Sequence, residues 1–275
     1  MYSIGKESIS NLSAIKFDGT YRVLGCISET AESKKKFQKF GSNFAAPLDQ
    51  TQWKESDSEW YNLPIWNQLQ TGSCVAQSCG MGVQFCRAQE GKPFIDLSPW
   101  YLYGLINNGV DKGAMISDAL NALMQYGICP QADLSPGVMY KNQFPQKAFD
   151  DAVNYKLQQA YHCDTFEEIC SAITLGFMCP LGIYVDQNFA NLNSDGIAPI
   201  PRAMNGGGHA LLGIGLKKYN GSWIIKVRNS WGNKFGLNGC CYLTKSHFQI
   251  MATDAFAIQS ILDNSTDNNP PVVKE

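Results

Sequence analysis

A chain of 275 residues, 44% of them hydrophobic and 17% charged, is long enough to bury a large core. Its aromatic content of 12% is typical of a globular protein and not of a disordered one. The formal net charge of -2 excludes a general electrostatic attraction to nucleic acid or to an anionic membrane surface.

The N-terminal end carries neither a targeting signal nor a membrane anchor that we can identify. It lacks the charged segment, apolar core and small-residue cleavage site of a secretory signal. No apolar run along the chain reaches the roughly 18 residues needed to cross a bilayer. We therefore expect a soluble, cytoplasmic protein with no membrane partner.

Residues 1–44 are interpreted as an N-terminal arm that precedes the main domain. The segment mixes short apolar alternation with a lysine cluster made of Lys34, Lys35, Lys36 and Lys39. The simplest interpretation of the cluster is a solvated helix face, and a partner-binding patch is the alternative.

The ten cysteines are spread over the whole chain, and without a secretory signal they are expected to be reduced. No C-x-x-C pair occurs and the chain has only three histidines, so a zinc site is not expected. We predict that the protein holds no metal ion.

Three helices are predicted in the first two thirds of the chain. One begins at Cys74, where apolar residues follow at helical spacing up to Cys86. The second spans residues 117–126. The third begins with the capping box formed by Thr165 and Glu168 and ends at Gly176.

Strands dominate the last third of the chain. They are predicted at residues 182–185, 209–215, 223–227, 241–243 and 255–261, with a hairpin turn at Asn220-Gly221. Helices early and an antiparallel sheet late predict an α+β fold with two lobes of different class. Residues 263–275 are polar, contain proline, and are expected to form a disordered tail.

Cys74 is the candidate nucleophile. The start of a helix offers free N–H groups and the positive end of the helix dipole, and both favour the thiolate form of a cysteine. Gly72 and Ser73 precede it and allow a close approach of the backbone, so the Cys74 N–H could help to bind an oxyanion. A structural cysteine at a helix start is the alternative.

His209 is the candidate base. Three glycines precede it and an apolar strand follows, which allows a ligand to approach an imidazole on a rigid support. A buried histidine at a strand start is the alternative. The other two histidines, His162 and His247, lie in polar stretches and are interpreted as incidental.

Asn229 and Gln68 complete the candidate site. Asn229 opens an N-S-W-G stretch after a strand, where its amide could orient the histidine and Trp231 could exclude water from that bond. Gln68 lies six residues before Cys74, and its amide N–H could point to the same oxyanion. Taken separately, the first stretch could be a turn with a core tryptophan, and Gln68 a loop residue.

In this order, Gln68, Cys74, His209 and Asn229 resemble the papain family of cysteine peptidases. His209 follows Cys74 by 135 residues, within the range of about 130 to 150 residues known for that family. The likeness is closest to bacterial and viral members, because residues 68–74, 97–103 and 127–130 match their Q-x-x-x-G-S-C, L-S-P-x-Y-L-Y and G-[IV]-C-P motifs. Two features depart from the family pattern: Thr71 replaces a structural cysteine, and Val75 replaces an aromatic residue.

The resemblance implies a two-lobed papain-like domain at residues 45–262 with an extended protein or peptide substrate between the lobes. It implies a peptidase that forms a thioester on Cys74, uses His209 as acid and base, and needs no cofactor. An acyl transferase or isopeptidase with the same residues is an alternative, as is an inactive scaffold within a larger assembly. The resemblance also suggests that the arm covers the cleft, and that a viral chain would act in the virus particle or the host cell.

Overall fold

The computed structural model describes residues 13–42, 47–202 and 205–263, with side chains described as far as Gln259. The helices are α1 (Ala31–Lys35), α2 (Cys74–Gln89), α3 (Pro99–Ile106), α4 (Ile116–Gln125), α5 (Gln146–Ala152), α6 (Phe166–Thr174) and α7 (Lys245–Met251). The strands are β1 (Ala14–Phe17), β2 (Thr20–Val23), β3 (Gln38–Lys39), β4 (Ser56–Asp57), β5 (Tyr155–Cys163), β6 (Cys179–Val185), β7 (Gly207–Tyr219), β8 (Ser222–Arg228), β9 (Cys240–Thr244) and β10 (Ala252–Asp263).

The main sheet has the strand order β3-β5-β10-β6-β7-β8-β9, with β4 paired to β7. Every pairing in it is antiparallel except β3 with β5. Asn220 and Gly221 connect β7 to β8 with φ values of 48° and 77°, as the two-residue hairpin turn requires. The predicted hairpin and the α+β character are therefore confirmed.

Alternation along β7 divides the core into two large clusters. Leu212 and Ile214 pack in the cluster that surrounds α2, whereas Leu211 packs in the cluster that includes Ile169 of α6. Successive side chains of a strand point to opposite faces of a sheet, so one strand can supply both clusters. The sheet thus has α2 against one face and α6 against the other.

Helix α2 is the central element of the helical part. All of its residues from Cys74 to Arg87 are buried, including Gln77, Ser78 and Gln84. The predicted helix start at Cys74 is confirmed, and burial extends beyond the apolar positions because α2 is enclosed by the sheet and by the neighbouring helices.

The other predicted helices and strands appear close to their expected bounds. Helix α4 is shifted by one residue, and Thr165 caps α6 through the predicted capping box. The elements that were missed include α3, α5, α7, β4 and β5. Seven of the eight residues of α3 are buried, so it has no polar face to reveal its period, and β5 contains two glutamines that disguise its alternation.

The arm is integrated into the fold. After the β1–β2 hairpin, the arm reaches the edge of the main sheet, where β3 pairs in parallel with β5. Phe37 and Phe40 are 5% and 3% exposed, so the arm also supplies core residues. Residues 1–12 and 43–44 of the arm lie outside the described residues. Residues 264–275 of the predicted tail also lie outside the described residues. The first residue of that predicted tail, Asp263, is the last residue of β10.

The lysine cluster is a solvated helix face only in part, because Lys35 of α1 and Lys36 at its C-terminal end are exposed, whereas the other two lysines pair with carboxylates. Lys34 Nζ lies 2.7 Å from a carboxylate oxygen of Asp254, whose side chain is only 2% exposed. Lys39 lies in β3 and pairs with Asp164 and Glu168 at 3.0 and 3.3 Å. Two of the four lysines therefore make specific ion pairs that attach the arm to the main domain.

All ten cysteines lie in the described part of the chain, where they are buried and form no disulfide. Among the described residues, no helix combines the length and the apolar character needed to cross a membrane.

Candidate active site

Cys74 is the first residue of α2 and is fully buried. Its helix cap, Ser73, makes no side-chain bond to the first turn, which leaves the N–H groups there open to another acceptor. Burial raises the pKa of the Cys74 thiol to about 11, against the opposing effect of backbone N–H groups from Ala210, Gly25, Val75 and Cys74 itself. The Ala210 contact brings the sulfur beside the residue that follows His209.

His209 and Asn229 are joined directly. The Nε2 atom of His209 lies 2.8 Å from Oδ1 of Asn229, and Nδ1 of His209 has no partner among the described residues. The Trp231 ring lies 4.9 Å from the His209 ring and is 1% exposed. Phe17 of the arm packs on Trp231 at 5.7 Å, so water has no access to the His209–Asn229 bond.

Gln68 is held in one orientation by four hydrogen bonds. Its Oε1 accepts from Ser230 Oγ at 2.8 Å and from Trp231 Nε1 at 3.1 Å. Because both of these groups are donors in this network, the other end of the amide must be Nε2. That nitrogen donates to the carbonyl oxygens of Val23 and Thr71, each at 2.8 Å.

The arm passes through the cleft between these residues. The Cys26 N–H donates to the Gly208 carbonyl at 3.0 Å, and the Ala114 N–H donates to the Gly25 carbonyl at 2.9 Å. Gly25 is packed so closely that a Cβ there would lie 2.0 Å from the Gly72 oxygen. Only glycine fits at this crossing, and the carbonyl of Val23 lies where Gln68 directs its donor.

The arm is also clamped beyond the crossing. Glu29 accepts a hydrogen bond from the Ser117 N–H at the start of α4 (2.7 Å), and its own N–H donates to Asp254 at 2.9 Å. Sequence reasoning missed Asp254 and the Gly25 crossing, because both depend on contacts between segments more than 40 residues apart. The lone glycine between apolar residues, Leu24-Gly25-Cys26, was the available signal.

Tyr103 and Asp111 support the loop before Cys74. Asp111 accepts from the Gly72 N–H at 2.8 Å and from the Tyr103 hydroxyl. Tyr103 also accepts from the Gly113 N–H at 3.0 Å. Tyr103 ends the L-S-P-x-Y-L-Y stretch, so the sequence indicated this position without a role for it.

The other two histidines lie outside this constellation. Nδ1 of His162 lies 3.4 Å from a carboxylate oxygen of Asp164, and His247 lies in α7. His247 is 0% exposed, so the inference of a polar setting from its sequence neighbours was wrong. Among the described residues, no group of His, Cys, Asp or Glu side chains could hold a metal ion.

Acidification is expected to lower the stability of the folded chain. Burial lowers the pKa values of His209 and His247 to about 4 each, whereas an unfolded chain restores them to about 6.5. Between pH 6.5 and 4 the unfolded chain therefore binds more protons, and the free energy of unfolding falls as the pH falls through that window. Thermal unfolding measured from pH 7 to pH 4 tests this. His247→Gln should show a smaller decrease in Tm than the unchanged chain, and an equal decrease would contradict the assignment to His247.

Gln68→Glu isolates the donor function of the amide. Glutamate keeps an acceptor for Ser230 and Trp231 but removes the N–H group and adds negative charge. We expect kcat for peptide hydrolysis to decrease by ~100- to 1000-fold with little change in KM, which is typical for the loss of an oxyanion donor. The exposed neighbour Gln70 offers a matched control, since Gln70→Glu adds the same charge outside the cleft. Equal rates for the two variants would remove Gln68 from the proposed site.

Comparisons with known proteins identify the family and the fold of the chain. The family model described as papain family cysteine protease matches residues 49–258. An uncharacterized peptidase C1-like protein of Acanthamoeba polyphaga mimivirus is 25% identical over 222 residues, which are 73% of this chain and 71% of that protein. The viral cathepsin of Cydia pomonella granulosis virus is 29% identical over 185 residues, 64% of this chain and about half (52%) of that protein.

Among solved structures, xylellain, a cysteine protease from Xylella fastidiosa, superposes with a TM-score of 0.72 at 22% identity. The match covers 86% of this chain and 96% of xylellain, so the two share a fold. The expected two-lobed α+β architecture is thereby confirmed. The chain belongs to the papain family of cysteine proteases.

Proposed function

We propose that this chain is a cysteine peptidase that cleaves peptide bonds through a thioester on Cys74. The observation that supports this best is the pair of bonds that orient the two ends of the site, His209 to Asn229 and Gln68 to a peptide carbonyl. The carbonyl oxygen of Val23 already accepts a hydrogen bond from the Gln68 amide. In a bound substrate, the carbonyl oxygen at this position is the atom that becomes negatively charged during peptide hydrolysis.

In the proposed reaction, Asn229 accepts a hydrogen bond from the His209 Nε2–H and so leaves Nδ1 as the basic nitrogen. Nδ1 takes the proton of Cys74, whose sulfur attacks the substrate carbonyl. The oxyanion is stabilised by Gln68 and the Cys74 N–H. His209 then protonates the leaving amine, and water releases the acyl group with His209 as base. Trp231 shields the His209–Asn229 bond from water.

We further propose that residues 13–42 hold the peptidase in a closed state. Burial keeps the Cys74 pKa near 11 and the His209 pKa near 4, so in this state the thiol and the imidazole are both neutral and unreactive at pH 7. Withdrawal of the arm would restore water to both groups and favour the thiolate–imidazolium pair.

The arm occupies the cleft as a resident peptide. The amide that would leave from the Val23 carbonyl is the Leu24 N–H, and it donates to the Ser13 carbonyl at 2.8 Å. The leaving nitrogen would therefore stay tethered within the arm beside the site, where it can re-form the bond. We propose that this keeps the resident peptide in place to block substrate.

Product analysis tests the proposed reaction. The Gly25→Ala variant, in which the arm is expected to leave the cleft, is incubated with a peptide library in water, with and without an added primary amine. Products are identified by mass spectrometry. New carboxyl termini in water alone support hydrolysis. Products that require the amine would instead indicate acyl transfer, cleavage restricted to lysine side-chain amides would indicate an isopeptidase, and no product would indicate an inactive scaffold.

We propose that the substrate is a protein or peptide and that the chain acts in the cytoplasm. Both curated relatives described above come from viruses, which is consistent with action in a virus particle or an infected cell.

A further inference from the structure

Cys26 of the arm is held in place next to the site by backbone bonds on both sides. Its N–H donates to the Gly208 carbonyl at 3.0 Å, and the flanking residues bond to Ala114, which donates to Gly25 at 2.9 Å and accepts from Ile27 at 3.0 Å. Cys26 is 8% exposed. Its side chain lies in the buried cluster that also contains Cys74.

The thiols of Cys26 and Cys74 lie above neighbouring positions of the sheet. A Cβ on Gly182 would lie 2.9 Å from the Cys26 sulfur, whereas the Cys74 sulfur faces the N–H of Ala210. Gly182 and Ala210 are directly paired across strands β6 and β7. The backbone N–H of Gly25, the residue directly before Cys26, also contacts the Cys74 sulfur, so the chain on which Cys26 lies touches that sulfur.

The direction of the Cys26 pKa shift is consistent with this proximity. The Cys26 pKa is raised well above its ordinary value by burial first and by the charge of Cys74 second. A negative charge on one sulfur is thus felt by the other, as expected for two thiols in the same buried cluster.

We propose that Cys26 is a resolving thiol, which forms a disulfide with Cys74 under oxidation and locks the arm in the cleft. This regulatory role rests on the proposed function of Cys74, but the bond itself requires only that the two thiols meet. The closed state would then change from a reversible contact to a covalent one.

The oxidant is a peroxide, with hydrogen peroxide as the simplest case. During a transient opening of the arm, the Cys74 thiolate attacks one peroxide oxygen; an S–O bond forms, the O–O bond breaks, and hydroxide leaves and is protonated to water. The Cys26 thiolate then attacks the sulfur of the sulfenic acid, forming the S–S bond and releasing a second water. In total, two thiols lose two electrons and two protons, and one peroxide becomes two waters.

The bond would have two consequences. The arm could no longer leave by local unfolding, so substrate would be excluded until a thiol reductant restores both cysteines. It would also stop the oxidation of Cys74 at a reversible stage, before the irreversible sulfinic and sulfonic acids.

Peptide mapping of the full chain tests the proposal. The protein is treated with hydrogen peroxide, alkylated, digested without reduction and examined by mass spectrometry. We expect a linked pair of peptides that contains Cys26 and Cys74, is two hydrogens lighter than their sum, and disappears with dithiothreitol. In Cys26→Ser the linked pair should be absent and Cys74 should be found as sulfinic or sulfonic acid.

The matched control is Cys79, which lies on the same helix and also raises the pKa of Cys26. Cys79→Ala should retain the linked pair. Detection of Cys26 joined to Cys79, or of an oxidised Cys74 beside a freely alkylated Cys26 in the unchanged chain, would overturn the proposal. Mapping requires no catalysis, so the two proposals can fail separately. If the chain forms the bond, but the reduced Gly25→Ala chain hydrolyses no peptide, the proposed peptidase is refuted and the disulfide is not.

Discussion

Replacement of Cys74 with alanine should lower kcat/KM for peptide hydrolysis by on the order of 10⁵-fold. Covalent catalysis has no substitute once the sulfur is removed, and the remaining residues can only bind and polarise the substrate. The measurement is the rate of cleavage of a fluorogenic peptide, together with labelling by a peptidyl inhibitor that traps thiols. The Gly25→Ala variant, which retains Cys74 and is expected to open the arm, should be labelled once per molecule. The same variant with Cys74→Ala added should not be labelled.

Cys79→Ala is the matched control for this loss. Cys79 is buried in the same helix, and burial raises its pKa strongly, so it should neither react nor be required. Labelling and cleavage should therefore persist in Cys79→Ala. Residual cleavage at the unchanged rate in Cys74→Ala would show that the nucleophile has been misassigned.

Gly25→Ala should open the cleft and raise activity. The added Cβ would lie 2.0 Å from the Gly72 oxygen, an atom of the backbone just before α2 that cannot move without disturbing the site. Overpacking of this kind costs about 1 to 3 kcal/mol. Because the cost falls only on the closed state, the open population should rise by about 5- to 150-fold, and kcat/KM with it.

The control for this variant is Ser28→Ala, an exposed position on the same segment that should leave the rate unchanged. Initial rates and inhibitor labelling rates measure the effect. Unchanged rates in Gly25→Ala would mean that the arm does not limit access to Cys74. This variant is a sharper test than deletion of residues 1–44, since deletion would also remove Ile15, Leu24, Phe37 and Phe40 from the core.

Local patterns were sufficient for about half of the described helices and strands. The capping box at Thr165, the Asn220-Gly221 turn and the helix start at Cys74 each depend on a few adjacent residues, and all three appear where the sequence predicted them. Elements whose pattern was hidden by burial on all sides, above all α3, could not be recognised in this way. Periodicity reports only the contrast between a buried and an exposed face.

Residue types and their order in the chain were enough to indicate which side chains carry the proposed chemistry. The proposed chemistry needs an amide donor, a thiol, an imidazole and a second amide, and these are supplied by Gln68, Cys74, His209 and Asn229. Their types and order can be read directly from the sequence. The tertiary structure decided how far these side chains are buried and which groups contact them. Burial under the arm, the crossing at Gly25 and the buried Asp254 that holds Lys34 all arise from contacts between distant segments. Local sequence does not encode such contacts, because desolvation and close packing depend on what the rest of the chain places against each group.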